Sequence, residues 1–131
     1  MEEKYTKNFT EWFQVKEKLE DNSYIPVIMN GDIWSLHAGI NVGSEIDGKG
    51  DRFTRPVYVF HRISKESFIG IPLTSRHKDS IHRVSIENGE SYLSFSQIKT
   101  FSSKRCKALL KCLPIEEQAR IKGIFHQIFC T

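Results

Sequence analysis

Arg55-Pro56-Val57-Tyr58-Val59-Phe60-His61-Arg62-Ile63 and Ser67-Phe68-Ile69-Gly70-Ile71, joined by Ser64-Lys65-Glu66, decide how this chain folds. Val57 to Phe60 is apolar at every position, so a strand made of these residues is covered on both faces and lies inside a sheet. Pro56 biases Arg55 toward an extended backbone, which puts the arginine at the entrance of that strand. The short Ser64-Lys65-Glu66 connection is sized for a hairpin loop.

On either side of this hairpin the pattern predicts more short strands, Asp32 to His37 before it and His82 to Ile86 and Ser91 to Phe95 after it. Asn88-Gly89 suits a two-residue type I′ turn between the last two, since both residues tolerate positive φ. Gly43 to Thr54 reads as a long irregular loop, its glycines interleaved with charged residues. At the N-terminus, Phe9, Trp12, Phe13, Val15 and Leu19 share one helical face over Asn8 to Glu20, with Asn8 as N-cap and Glu11 completing a capping box. At the C-terminus, Pro114 stands at a first helical position, Glu116 and Glu117 follow in the first turn, and Ile115, Ala119, Ile124, Phe125 and Ile128 form an apolar side. Antiparallel strands flanked by helices predict an α+β fold: a small, strongly bent sheet or partial barrel. Residues 1–131 are expected to form a single domain, with 1–29 as an N-terminal helical extension.

The formal net charge is only +3, but it is unevenly spread. Residues 51 to 83 carry seven Lys/Arg against three acids, and residues 99 to 113 carry five cations and no acid. A positive surface from these segments attracts phosphates or an acidic partner. Cys106, Cys112 and Cys130 are odd in number and spaced six and eighteen apart, which fits neither a disulfide framework nor a common zinc pattern. Carboxylates are scattered singly, which argues against a two-metal nuclease, and the glycines have no P-loop or dinucleotide spacing. No metal and no cofactor is expected. No apolar run reaches the roughly 18 residues of a membrane span, so a cytoplasmic protein without membrane contact is expected.

Five small motifs occur in order: Gly31-Asp32-Ile33-Trp34, Gly43-Ser44-Glu45, Arg55-Pro56-Val57, Pro72-Leu73-Thr74-Ser75 and Ser96-Gln97-Ile98-Lys99-Thr100. In order and spacing they resemble the MazF/PemK toxin family, over roughly residues 31 to 129, and the N-terminal helix resembles that of longer PemK-like members. The resemblance implies an SH3-like partial barrel of the CcdB/PemK type. It implies the toxin of a type II toxin–antitoxin system, a metal-independent endoribonuclease that cuts single-stranded RNA at selected sequences. It further implies a homodimer, a cognate antitoxin with an acidic tail that occupies the RNA groove, and operator DNA contact only through the antitoxin complex.

Cleaving RNA without a metal means activating a ribose 2′-hydroxyl, stabilising charge on a five-coordinate phosphorus and protonating the leaving 5′-oxygen. The resemblance makes Arg55 and Thr74 catalytic. A guanidinium that stays protonated suits transition-state stabilisation, and the threonine hydroxyl can hold the phosphate. Substrate contacts are expected from Ser44 and Glu45 in the groove loop, from Phe53 stacking on a base, from Arg76, His77 and Lys78 after the threonine, and from Gln97. Trp34 and Tyr58, at strand positions, read as core. Ile46 stands where many relatives have Gln, Asp47 to Thr54 lengthens the loop, and Ser96 stands where many carry an acid used in proton transfer. Histidine is the natural replacement for that acid, His77 first and His37 second. Two other functions fit the same residues: a catalytically inactive module that binds nucleic acid or protein, and an inhibitor acting as the related gyrase poisons do.

Overall fold

The computed structural model describes residues 11, 12, 16, 25–37, 54–86 and 89–130. Their strands are β1 (Asp32–His37), β2 (Thr54–Arg62), β3 (Ser67–Thr74), β4 (Arg83–Ile86), β5 (Ser91–Ser94), β6 (Lys99–Ser102) and β7 (Cys106–Cys112), followed by the helix α1 (Ile115–Phe129). The strands form one antiparallel sheet in the order β4-β5-β3-β2-β1-β7, with β6 also paired to β3. The bend comes from β3. Ser67 to Gly70 pair with β6 and Leu73 and Thr74 pair with β5, so β3 changes partner across Ile71 and Pro72. Pro72, which has no N–H to offer a ladder, stands at that change of partner.

The central β2 alternates as its sequence requires. Val57 and Val59 enter one core with Ile28, Trp34, Leu36, Phe68 and Phe101, while Tyr58 enters the other with Ile33, Ile71, Leu73, Ile86, Phe95 and Ile121. A register irregularity between Val59 and His61 bulges β2 at Phe60, whose ring lies 4.8 Å from that of Phe125 on α1. The helix covers the second core with Ile121, Ile124, Phe125 and Ile128, a spacing of three, four and seven that makes one stripe.

Gly31-Asp32-Ile33-Trp34 turns out to join sheet and helix. Gly31 takes φ +92°, donates its N–H to Val59 O at 2.9 Å and accepts from Leu113 N at 3.0 Å. The Gln118 side chain fills the space a Cβ would need, and its amide donates to Leu113 O at 2.8 Å. Buried Asp32 accepts from Met29 N at 3.0 Å and from the Trp34 indole at 3.1 Å through one carboxylate oxygen.

Several expectations need correction. β6 and β7 were not anticipated, and β3 runs on to Thr74. Pro114 is the N-cap and not the first helical residue. Ile115 is 79% exposed and Ala119 is also exposed, because at 100° per residue both fall off the Ile121 stripe. The described residues of the expected N-terminal helix, Glu11, Trp12 and Lys16, are helical, and the rest of it lies outside the described residues. The hairpin ladder ends at Ile86 opposite Ser91 with Gly89 at φ +84°, but the turn type depends on Asn88, also outside them. Among the described residues, no helix is long and apolar enough to cross a membrane.

A Cβ on Gly70 would sit 2.6 Å from Val57 Cγ1 and 2.8 Å from the Phe101 ring. Gly70→Ala is therefore expected to lose about 2 kcal/mol in urea unfolding, in the range of core overpacking. Burial pushes the Tyr58 hydroxyl up to about 12, with a smaller push from Glu117, and burial likewise takes the Cys106 thiol up to about 12. Their unfolded values are 10.0 and 9.0, so above these the unfolded chain loses protons the folded chain keeps. The stability they contribute is full below about pH 9 and falls as pH rises toward 12, and a urea midpoint measured across that window should decline steadily.

Candidate active site

The β2–β3 register builds the site. Val57 opposes Pro72, Tyr58 opposes Ile71 and Val59 opposes Gly70; the ladder ends at Val57 and Pro72, and Arg55 and Thr74 each lie two residues beyond that last pair. Val57 and Pro72 share a face of the sheet, and alternation along each strand carries Arg55 and Thr74 to that same face. Both are half-buried. They line one cleft of about 230 Å³ at this end of the sheet, together with Thr54, Ser75 and Ser91.

Arg55 is held from β3: its Nη1 donates to Leu73 O at 3.2 Å. The Thr74 hydroxyl oxygen accepts from Arg76 N at 3.2 Å, which leaves its own hydrogen to donate to a bound group. A fixed cation beside a hydroxyl donor is suited to an oxyanion, above all a phosphate.

Behind Thr74, the loop bearing Arg76, His77 and Lys78 is exposed and tied down at two points. The Arg83 guanidinium donates to Arg76 O at 2.7 Å, and the His77 ring stands edge-on to Tyr92 at 5.5 Å, where Tyr92 is the β5 partner of Thr74. The basic loop thus borders the cleft. Gln97 does not line it; it sits in a 3-10 turn, Phe95–Gln97, beyond the opposite end of β5 from Ser91. His37 pairs with Thr54, is only 9% exposed and is not among the residues that line the cleft. Ser44, Glu45 and Phe53 lie outside the described residues. Trp34 and Tyr58 are core residues, 9% and 2% exposed.

The sequence did not single out Thr54, Ser75, Ser91 or the Arg83 clamp. Ser75 is the last residue of the Pro72-Leu73-Thr74-Ser75 motif and Thr54 adjoins Arg55, so both could have been found by strand neighbourhood. Ser91 carries no local signal, since it reaches the cleft only through the β3–β5 pairing. Among the described residues no group of His, Cys, Asp or Glu is arranged to hold a metal ion.

Beside β1, the Arg105 guanidinium lies 5.6 Å over the Trp12 ring and donates to His37 O at 3.4 Å. Burial lowers its pKa from the usual arginine value.

A bent antiparallel sheet closed by a C-terminal helix, with an arginine set against a threonine at one rim, defines a small α+β protein with an anion cleft. The family model for the PemK-like, MazF-like toxin of type II toxin–antitoxin systems matches residues 29–129, and the chain belongs to that family. Solved structures share its fold, two among them being toxin–antitoxin complexes. One is an endoribonuclease in complex with its cognate antitoxin from a Mycobacterial species, with TM-score 0.57, 10% identity, 77% of this chain and 93% of that chain covered. The other is MazE-MazF from Deinococcus radiodurans, with TM-score 0.53, 17% identity, 81% of this chain and 96% of that chain covered. None of the curated proteins matches the chain.

Proposed function

We propose that this type II toxin cleaves single-stranded RNA without a metal, using Arg55 and Thr74 on the scissile phosphate. The observation that carries this reading is the convergence of both side chains on one open cleft, with the guanidinium fixed by Leu73 O. In the reaction the ribose 2′-oxygen attacks phosphorus and gives up its proton, the bond to the 5′-oxygen breaks, and that oxygen takes a proton. The products are a 2′,3′-cyclic phosphate and a 5′-hydroxyl. Arg55 offsets the charge that grows on the phosphoryl oxygens, and the Thr74 hydroxyl donates to one of them. His77, exposed beside Tyr92, supplies an imidazole for proton transfer in place of the family acid that Ser96 lacks. Arg76 and Lys78 bind flanking phosphates, which positions the strand without reading its bases.

The family supplies an antitoxin as partner. An acidic tail would meet the same cationic rim, and the reaction with cellular RNA takes place in the cytoplasm. A homodimer is supported by β7, which ends the sheet and leaves Leu109 and Leu110 53% and 55% exposed. Such an edge is ordinarily covered by a partner.

Purified protein should cut single-stranded RNA equally well in chelator, leaving 5′-hydroxyl ends. Arg55→Ala should slow cleavage about 100-fold or more, in line with the loss of one transition-state donor, and Thr74→Val should slow it about 10-fold. Cleavage by Arg55→Ala at the parent rate would remove this mechanism. Leu109→Glu combined with Leu110→Glu should turn a sedimenting dimer into a folded monomer, and an unchanged dimer would move the interface elsewhere.

A further inference from the structure

The strand ladders bring Arg83 to the face of the sheet that carries Thr74. Thr74 opposes Tyr92 and Tyr92 opposes Ser85, so these three share a face, and Arg83 returns to it two residues before Ser85. Leu73, Leu93 and Val84 take the other face and join the core there. The His77 ring stands edge-on to Tyr92, so the loop that follows β3 lies over the face shared by Thr74 and Arg83.

Arg83 stands on a fixed base. Its N–H donates to Ser80 O at 3.1 Å, the preceding carbonyl, His82 O, accepts from Phe95 N at 2.8 Å, and Arg83 pairs with Ser94, which is 1% exposed. From that base Nη1 reaches Arg76 O at 2.7 Å, a charge-assisted bond shorter than the 3.2 Å bonds of Arg55 to Leu73 O and of Arg76 N to Thr74 Oγ1. Residue 76 is thus held on both of its peptide units, its carbonyl by Arg83 and its N–H by Thr74.

The consequence falls on Thr74. An exposed bond from a backbone N–H to a hydroxyl oxygen two residues earlier is weak by itself, because water competes for both partners. With that bond open, the hydroxyl rotates freely and can turn its hydrogen away from a bound phosphate. With residue 76 pinned, the N–H occupies one acceptor position of the oxygen, and the hydroxyl hydrogen is left for the cleft that Thr74 lines. We propose that Arg83 is a positioning residue for RNA cleavage, which grips Arg76 O and so keeps Thr74 oriented as a donor to the scissile phosphate. This rests on the role given to Thr74 above, and it requires no contact between Arg83 and RNA.

The test compares Arg83→Met, Arg83→Lys, Thr74→Val and the double variant Arg83→Met with Thr74→Val, each at saturating RNA. Arg83→Met should lower kcat about 5-fold, less than the roughly 10-fold expected of Thr74→Val, since a residue acting through the threonine cannot matter more than the threonine does. The double variant should cleave at the rate of Thr74→Val alone. Arg83→Lys, which keeps the charge and a donor, should recover part of the loss. By amide NMR without RNA, the Arg76 N–H should exchange about 5-fold faster in Arg83→Met than in the parent, while unchanged β4–β5 amides show that the variant is folded. An equal loss of kcat with and without the Thr74 hydroxyl, a raised KM with kcat unchanged, or unaltered Arg76 exchange would overturn the proposal. Thr74→Val at the parent rate would remove the role of Thr74 and this proposal with it. Arg83→Met at the parent rate beside a slow Thr74→Val would remove the positioning alone.

Discussion

The register of β2 against β3 is the constraint on which the rest depends. Val57 opposite Pro72 is fixed because Val57 and Val59 must reach one core while Tyr58, Ile71 and Leu73 reach the other. A slip by one residue would exchange the faces and bury the wrong set. It would also separate Arg55 from Thr74, so the packing that stabilises the sheet and the pairing that makes the cleft are set by the same alternation. Gly70 tightens this further, since the space above it belongs to Val57 and Phe101.

Around that pair the chain solves a problem of closure. One long strand, β3, serves two partners and bends the sheet, and α1 covers the face that the bend leaves open. The joint between sheet and helix is Gly31, whose positive φ and missing Cβ let β2, Leu113 and Gln118 meet at one residue. Asp32 beside it is buried, but its carboxylate is satisfied by a backbone N–H and an indole, so it serves structure.

Much of this was legible in the residues, and the omissions have physical causes. β1 to β5 announced themselves through apolar runs, Pro56 and the short loops, and α1 through its periodicity. β7 did not, because Cys106 to Cys112 is an edge strand exposed from Lys107 onward, and neither face imposes an alternation. Its lysines read as a solvated basic segment. β6 is only four residues long and is recognisable only by its pairing to β3. Arg55 and Thr74 were legible because each sits in a local motif, while Ser91 becomes their neighbour only through pairing between distant parts of the chain. Ile115 was assigned to the packed side because it is apolar, although its angular position on α1 faces solvent.

Trp12 precedes the segment shared with the family, yet its ring covers the Arg105 guanidinium that grips the last carbonyl of β1. An indole in that place shields a half-buried cation from water, so Trp12 contributes to the folded body at the point where β1 ends. Ancestry and architecture therefore divide this molecule at different boundaries. A shortened version trimmed to the kinship segment would begin after the residue that roofs its own arginine.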